Sequence, residues 1–391
     1  MRVLLNCLAD YGHFHPLAVL AKALVGRGHE VRFVTEEGFA SQIQADGFEV
    51  VEVPGRDPAA RSLEWIRWNK ELAGQDLSTR APKVLGWFWK GAIRAVPSIR
   101  KVIEEWQPNV VVLEQSAWAG AIAAELAGLP FATFHFNPRP PGALKAILGE
   151  RISQDLKTLG LSNDGGFLEA DPHLALVGGP EGWFDQDELG PRSRMIRPPL
   201  VESRQDEPPP WLALLGRNRP LVYVTMGTVF NRDLKLFQAL VGGLASCNVD
   251  ALITIGKKRP GGVTADQLGE LPDGIRVEEY VDQSLVLPKA AAVIGHGGYG
   301  TMMGALTHGL AIVCIPQAAL DNHANSNRVV RLGAGVIVEG DSSEAIATGI
   351  SEVLGNTSIA SAASRAAASI AALPSADQAA SMIEEISIPA R

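Results

Sequence analysis

The stretch "AAVIGHGGYGTMMGALTHGLAIVCIP", Ala291 to Pro316, holds a complete folding unit. "AAVIG" is a short apolar run of the kind buried on both faces of a parallel sheet. "YGTMMGALTHG" has helical length and stops at Gly309, and "AIVCIP" is a second apolar run. Strand, loop, helix and strand make a βαβ unit, whose crossover is right-handed. The joint between strand and helix, "HGGYG", holds three glycines and one histidine. A glycine turn that opens a helix presents free N–H groups and the positive end of a dipole to an anion. Glycines at 297, 298, 300 and 304 do not fit the G-x-G-x-x-G dinucleotide spacing, and the lysine of a P-loop is missing. What remains is a phosphate cradle with His296 at its lip and Thr301 beside it, or else a tight turn whose glycines serve packing alone.

The same alternation extends in both directions. In the second half, "LVYVTMG", "ALITIG", "IRVEEY" and "GVIVEG" are further candidate strands with helices between them. In the first half, "RVLLNCL" is a buried strand. Leu17, Leu20, Ala21 and Leu24 then recur at helical spacing, and "GRGHEVRFVT" supplies a stop and the next strand. "PNVVVLE", "AGAIAAELAGLP" and "FATFHF" repeat strand, helix, strand. The pattern predicts two doubly wound α/β domains, with ligands expected in the cleft between them. Ile196 to Pro220 holds six prolines and a charge cluster, so it reads as the linker. The expected division is an N-terminal domain at 1–196, a linker at 197–219 and a C-terminal domain at 220–374. A last helix within 375–391 would pack back on the N-terminal domain. Five of the eight tryptophans fall in 56–106, as core filling or as the wall of an apolar pocket.

Composition narrows the function. At 391 residues the chain accommodates two ordinary domains, and 35 basic against 43 acidic residues leave a net charge of −8 with no basic run. Nucleic-acid binding is therefore not expected. Cys7, Cys247 and Cys314 are scattered and read as free thiols in a reducing compartment. No run approaches a membrane span and the N-terminus does not resemble a signal peptide, so the expected location is cytoplasmic.

Four motifs taken together resemble the family 1 glycosyltransferases of GT-B fold, which include the bacterial antibiotic and macrolide enzymes that use UDP- or dTDP-sugars. They are "GHFHPLAVLAKALVGRGHEVRFVT", "PLVYVTMGTVFN", "VEEYVDQSLVLPKAAAVIGHGGYGT" and "ALTHGLAIVCIPQ" with "DNHANSNRVVRLGAG". The resemblance implies two Rossmann-like domains facing across a cleft, with the donor held by the C-terminal one. His296, Gly298, Gly300 and Thr301 would contact the diphosphate, faced by Gly227 and Thr228. Tyr280, Val281 and Gln283 fall where the family holds the base. Asp321 and Asn322 fall where it has an Asp/Glu–Gln pair on the sugar hydroxyls. The pair here is Asp-Asn, and one extra residue lies between Pro316 and Asp321. Those departures bear on which sugar is used, not on the diphosphate.

In the N-terminal half, the resemblance makes His13 the base. A histidine suits proton abstraction near neutral pH, and a carboxylate on its other ring nitrogen would fix the tautomer. Glu114 lies near the family's Asp position, and Asp10 competes for the role. His15 and His29 read as structural, and His135 as a possible lining of the acceptor pocket. The implied reaction is inverting transfer of a sugar from a nucleotide diphosphate to a hydroxyl of an apolar small molecule, without metal or cofactor. The rivals are an epimerase of the same fold, a non-catalytic auxiliary protein and a lipid-linked sugar transferase.

Overall fold

A computed structural model describes residues 1–55, 71, 75–137, 142–161, 165–203, 207–227, 230–257, 261–317 and 320–388. The chain forms two units, one of Met1–Gly179, Phe184–Pro199 and Leu373–Arg391, the other of Pro180–Trp183 and Leu200–Ala372.

The first unit is built on seven parallel strands: β1 (Arg2–Asn6), β2 (Glu30–Glu36), β3 (Glu49–Val53), β4 (Val110–Glu114), β5 (Phe131–His135), β6 (Leu174–Gly178) and β7 (Ser193–Ile196). Their order is β3-β2-β1-β4-β5-β6-β7. β1 and β4 are neighbours, with Leu5 opposite Val112 and Asn6 opposite Leu113, so their carboxyl ends lie side by side. The helix Tyr11–Gly26 buries Leu17, Leu20, Ala21 and Leu24, the stripe read from their spacing. Asp10 caps it by accepting the Gly12 N–H at 2.9 Å.

Of the tryptophans, Trp65 and Trp68 lie outside the described residues. Trp89 is fully buried on the helix Leu77–Trp106, where its Nε1 donates to Asp155 Oδ2 at 2.7 Å and its ring lies 5.8 Å from that of Trp118. Trp89 is therefore core, its polar end satisfied as a buried indole requires. The helix Ala376–Ile386 closes the unit. Ser375 and Gln378 form a capping box, and Ala379, Ala380 and Ile383 are buried. Glu384 accepts two bonds from Arg27, at 2.8 and 2.6 Å, and lies 2.6 Å from His29 Nε2. Those two partners, Arg27 first, pull the Glu384 carboxyl down to about 2.

The second unit has six parallel strands: β8 (Leu221–Thr225), β9 (Asp250–Thr254), β10 (Ile275–Glu278), β11 (Ala292–Gly295), β12 (Ala311–Cys314) and β13 (Gly335–Ile337). Their order is β10-β9-β8-β11-β12-β13, around a core that includes Val222, Val224, Phe237, Leu240, Ile253, Ile294, Val313 and Ile346. The proline-rich stretch from Leu200 onward belongs to this unit. Leu212 is fully buried, and the Arg276 guanidinium lies 4.1 Å over the Trp211 ring. Asp250 accepts from the Gly216 N–H and from Arg219 Nε, both at 2.9 Å. Prolines forbid a helix or an inner strand, but they leave neighbouring apolar side chains free to bury. Pro180–Trp183 also belongs here. Trp183 is fully buried, and its carbonyl accepts from Arg331 Nη2 at 2.7 Å. Among the described residues, no helix is long and apolar enough to cross a membrane.

Candidate functional site

His13 stands in the first turn of the helix that follows β1, and Glu114 is the last residue of β4. Adjacency of the two strands brings them together, with His13 Nδ1 3.0 Å from Glu114 Oε2. The Glu114 carboxylate is fully buried. It is held by the N–H of Leu8 at 3.3 Å on one oxygen and that of Ser116 at 2.8 Å on the other. His13 keeps about a quarter of its side chain exposed (23%), with Phe136 packed edge-on at 5.3 Å. Asp10 is engaged as the helix cap, so the carboxylate facing His13 is that of Glu114. A buried carboxylate thus stands beside one ring nitrogen of a partly exposed histidine. His135 faces a different acid, with Nε2 2.9 Å from Asp171 Oδ2.

In the second unit, His296 follows β11 and precedes the helix Tyr299–Thr307, whose N-cap Gly298 supplies no side chain. The histidine is 8% exposed, and its ring fits between two glycines. A Cβ on Gly227 would come within 2.5 Å of His296 Cε1, and one on Gly298 within 2.5 Å of Nε2. Phe230 covers the ring at 5.5 Å. Burial lowers the His296 pKa to about 4, against a smaller opposing effect from the Thr225 backbone. A neutral imidazole carries one N–H, and Nδ1 of this buried ring has no hydrogen-bond partner among the described residues. Gly227 makes room for the ring, beyond any role beside a diphosphate. Thr228 lies outside the described residues.

The helix that follows contributes backbone donors. The first N–H groups of the helix Tyr299–Thr307 have no intrahelical acceptor. A Cβ on Gly300 would meet nothing within 4 Å, so that glycine leaves open space at the helix entrance. Thr301 is on the same turn and mostly buried. Tyr280 is 55% exposed with Lys257 Nζ 5.0 Å over its ring, a flat platform of the size of a base. Val281 is buried, which leaves its backbone as the polar part, and the Gln283 amide lies over Gly304. Asp321 is half-buried in the first turn of the helix Leu320–Arg331. Asn322 is only 2% exposed, and its Nδ2 has no partner among the described residues. An amide so placed differs from an open sugar contact. A cavity of about 440 Å³ in this unit is lined by Pro316, Gln317, His323 and Asn327 among others.

Comparison with known proteins gives this geometry its context. The family described as erythromycin biosynthesis protein CIII-like matches twice, its N-terminal domain over residues 22–163 and its C-terminal domain over 241–386. The chain belongs to that family. It is a natural-product glycosyltransferase of GT-B fold. The L-demethylnoviosyl transferase of Streptomyces niveus is 29% identical over 352 residues, covering 88% of this chain and 86% of that one. Among solved structures, the glycosyltransferase SnogD from Streptomyces nogalater superposes with a TM-score of 0.80 at 23% identity, covering 98% of this chain and 99% of its own. SsfS6 of Streptomyces sp. SF2575, solved in complex with thymidine diphosphate, gives 0.79 at 22% over the same shares.

In this CIII-like chain, sequence reasoning missed the support beneath the glycine loop. Asn325 is fully buried and donates from Nδ2 to the Gly297 carbonyl at 2.9 Å. Ser326, also fully buried, donates to the Asn322 carbonyl at 2.8 Å. The signal was present in the motif "DNHANSN", where Asn322, Asn325 and Ser326 share one helical face.

Proposed function

We propose that this glycosyltransferase moves a sugar from a dTDP- or UDP-sugar to a hydroxyl of an apolar small-molecule acceptor, with inversion. The observation that carries this reading is the buried Glu114 carboxylate set 3.0 Å from His13 Nδ1. With the Glu114 carboxylate beside Nδ1, Nε2 takes the proton from the acceptor hydroxyl as its oxygen attacks the anomeric carbon. The bond from that carbon to the diphosphate oxygen breaks, and the electron pair leaves on the diphosphate. Growing charge there meets the N-terminus of the helix Tyr299–Thr307, a fixed positive end that needs no reorganisation. That terminus supports a reaction without metal or cofactor. The thymidine diphosphate held by SsfS6 supports a thymidine or related donor. The epimerase and auxiliary readings are not favoured, since the named relatives are transferases.

The test is a transfer assay with a panel of dTDP- and UDP-sugars and a panel of aromatic and macrolide alcohols, with and without EDTA. The expected result is turnover that EDTA leaves unchanged and a product whose anomeric configuration is opposite to the donor's. Retention of configuration, or loss of activity on chelation, overturns the mechanism.

A further inference from the structure

The glycine loop is held from beneath by a chain of buried polar side chains. Asn325 Nδ2 donates to the Gly297 carbonyl at 2.9 Å, and Asn325 Oδ1 accepts from Arg328 Nη1 at 3.3 Å. Arg328 is itself buried, its guanidinium 6.0 Å from the centre of the buried Trp183 ring. Both ends of the Asn325 amide are thus fixed, and the side chain has no freedom to turn. The loop has no slack either. Gly297 sits at a φ of +89°, where a Cβ would collide with the Asn322 carbonyl and come within 2.8 Å of Ser326 Oγ.

The direction of one donor follows. In a trans peptide the C=O and the next N–H point to opposite sides of the chain. Asn325 pulls the Gly297 C=O toward the helix Leu320–Arg331, so the N–H of the same peptide, that of Gly298, points away from it. That N–H bonds to none of the described residues, and it immediately precedes the first turn of the helix Tyr299–Thr307. Gly298 is the N-cap of that helix, so its N–H stands at the head of the helix N-terminus.

We propose that Asn325 is a positioning residue. By clamping the Gly297 carbonyl it aims the Gly298 N–H at the donor's diphosphate. This rests on the nucleotide-sugar reading given above. Replacing Asn325 by Asp keeps the oxygen that Arg328 needs, but it sets a second acceptor against the Gly297 carbonyl and turns the peptide.

The experiment compares the full chain with N325D, and with N325A in case N325D does not fold. It measures thymidine diphosphate binding by calorimetry, donor and acceptor KM, and the thermal midpoint. The expected result is a thymidine diphosphate Kd weakened by about tenfold or more, with donor KM raised in step, acceptor KM within about twofold and the midpoint nearly unmoved. Unchanged affinity overturns the assignment. So does an equal rise of donor and acceptor KM with a lowered midpoint, which marks a general loosening. If the unsubstituted chain binds neither thymidine nor uridine diphosphate, the donor reading itself fails, and the role of Asn325 fails with it.

Discussion

His13 and His296 both stand where a strand passes into a helix, yet their surroundings are opposite. His13 keeps an exposed edge and has a buried carboxylate behind it. His296 is enclosed by Gly227, Gly298 and Phe230, and burial holds it neutral. A histidine that moves protons needs access and a partner that stabilises its charged form. One enclosed without a carboxylate is held neutral, and its volume becomes its contribution. The lesson is that residue type alone does not assign a role, whereas the partner on the second nitrogen does.

The widest separation between the two comes from removing the base. His13→Ala is expected to lower kcat by about 10²–10⁴-fold while leaving the calorimetric Kd for thymidine diphosphate unchanged. A kcat within tenfold of the unsubstituted enzyme would give the proton to another group.

Acid tests the other histidine. Burial places the folded His296 near 4 rather than 6.5, so between those values the unfolded chain binds more protons and stability falls as pH falls. The loss is on the order of 3 kcal/mol in full. Glu384 adds a loss of the same sign in a lower window, from about 4.5 down to about 2. Urea melts of the second unit's transition between pH 7 and 4 should show the upper slope, and His296→Asn should flatten it. A slope that survives the substitution would mean that another group titrates there.

How much of this was legible beforehand differs between fold and site. The alternation of apolar runs and helical stripes carried the two doubly wound sheets, because strand burial and helix periodicity are local properties of sequence. The pairing at His13 was not local. Asp10 is three residues away and Glu114 is on another strand, and only the β1–β4 adjacency brings the distant one close. Gly227 and Gly298 were assigned to the diphosphate by the family resemblance. That a ring lies between them is a contact across the sheet, invisible to spacing. The prolines before Pro220 were read as linker from composition, while Trp211 and Leu212 among them were already apolar enough to dock.

A smaller effect sharpens the enclosure of His296. Gly298→Ala forces the ring aside and should cost about 1–3 kcal/mol, with a lowered midpoint and weaker thymidine diphosphate binding together. An alanine tolerated without either change would mean that the ring moves freely. Glu114→Gln should lower kcat by about tenfold or more and leave donor KM alone, since it removes the negative charge that stabilises the protonated base. A rise in donor KM instead would tie Glu114 to the wrong half of the chemistry.

The last helix of the chain sets an order on biogenesis. Pro374 receives the Arg197 N–H, the helix Ala376–Ile386 covers the first helix, and Ile388 bonds Asn109 on both its N–H and its carbonyl. These are partners for segments made at the start of translation. On a ribosome adding roughly 5–20 residues per second, the first unit waits for the whole second unit to emerge before its surface is closed. The unit translated first is therefore the one completed last.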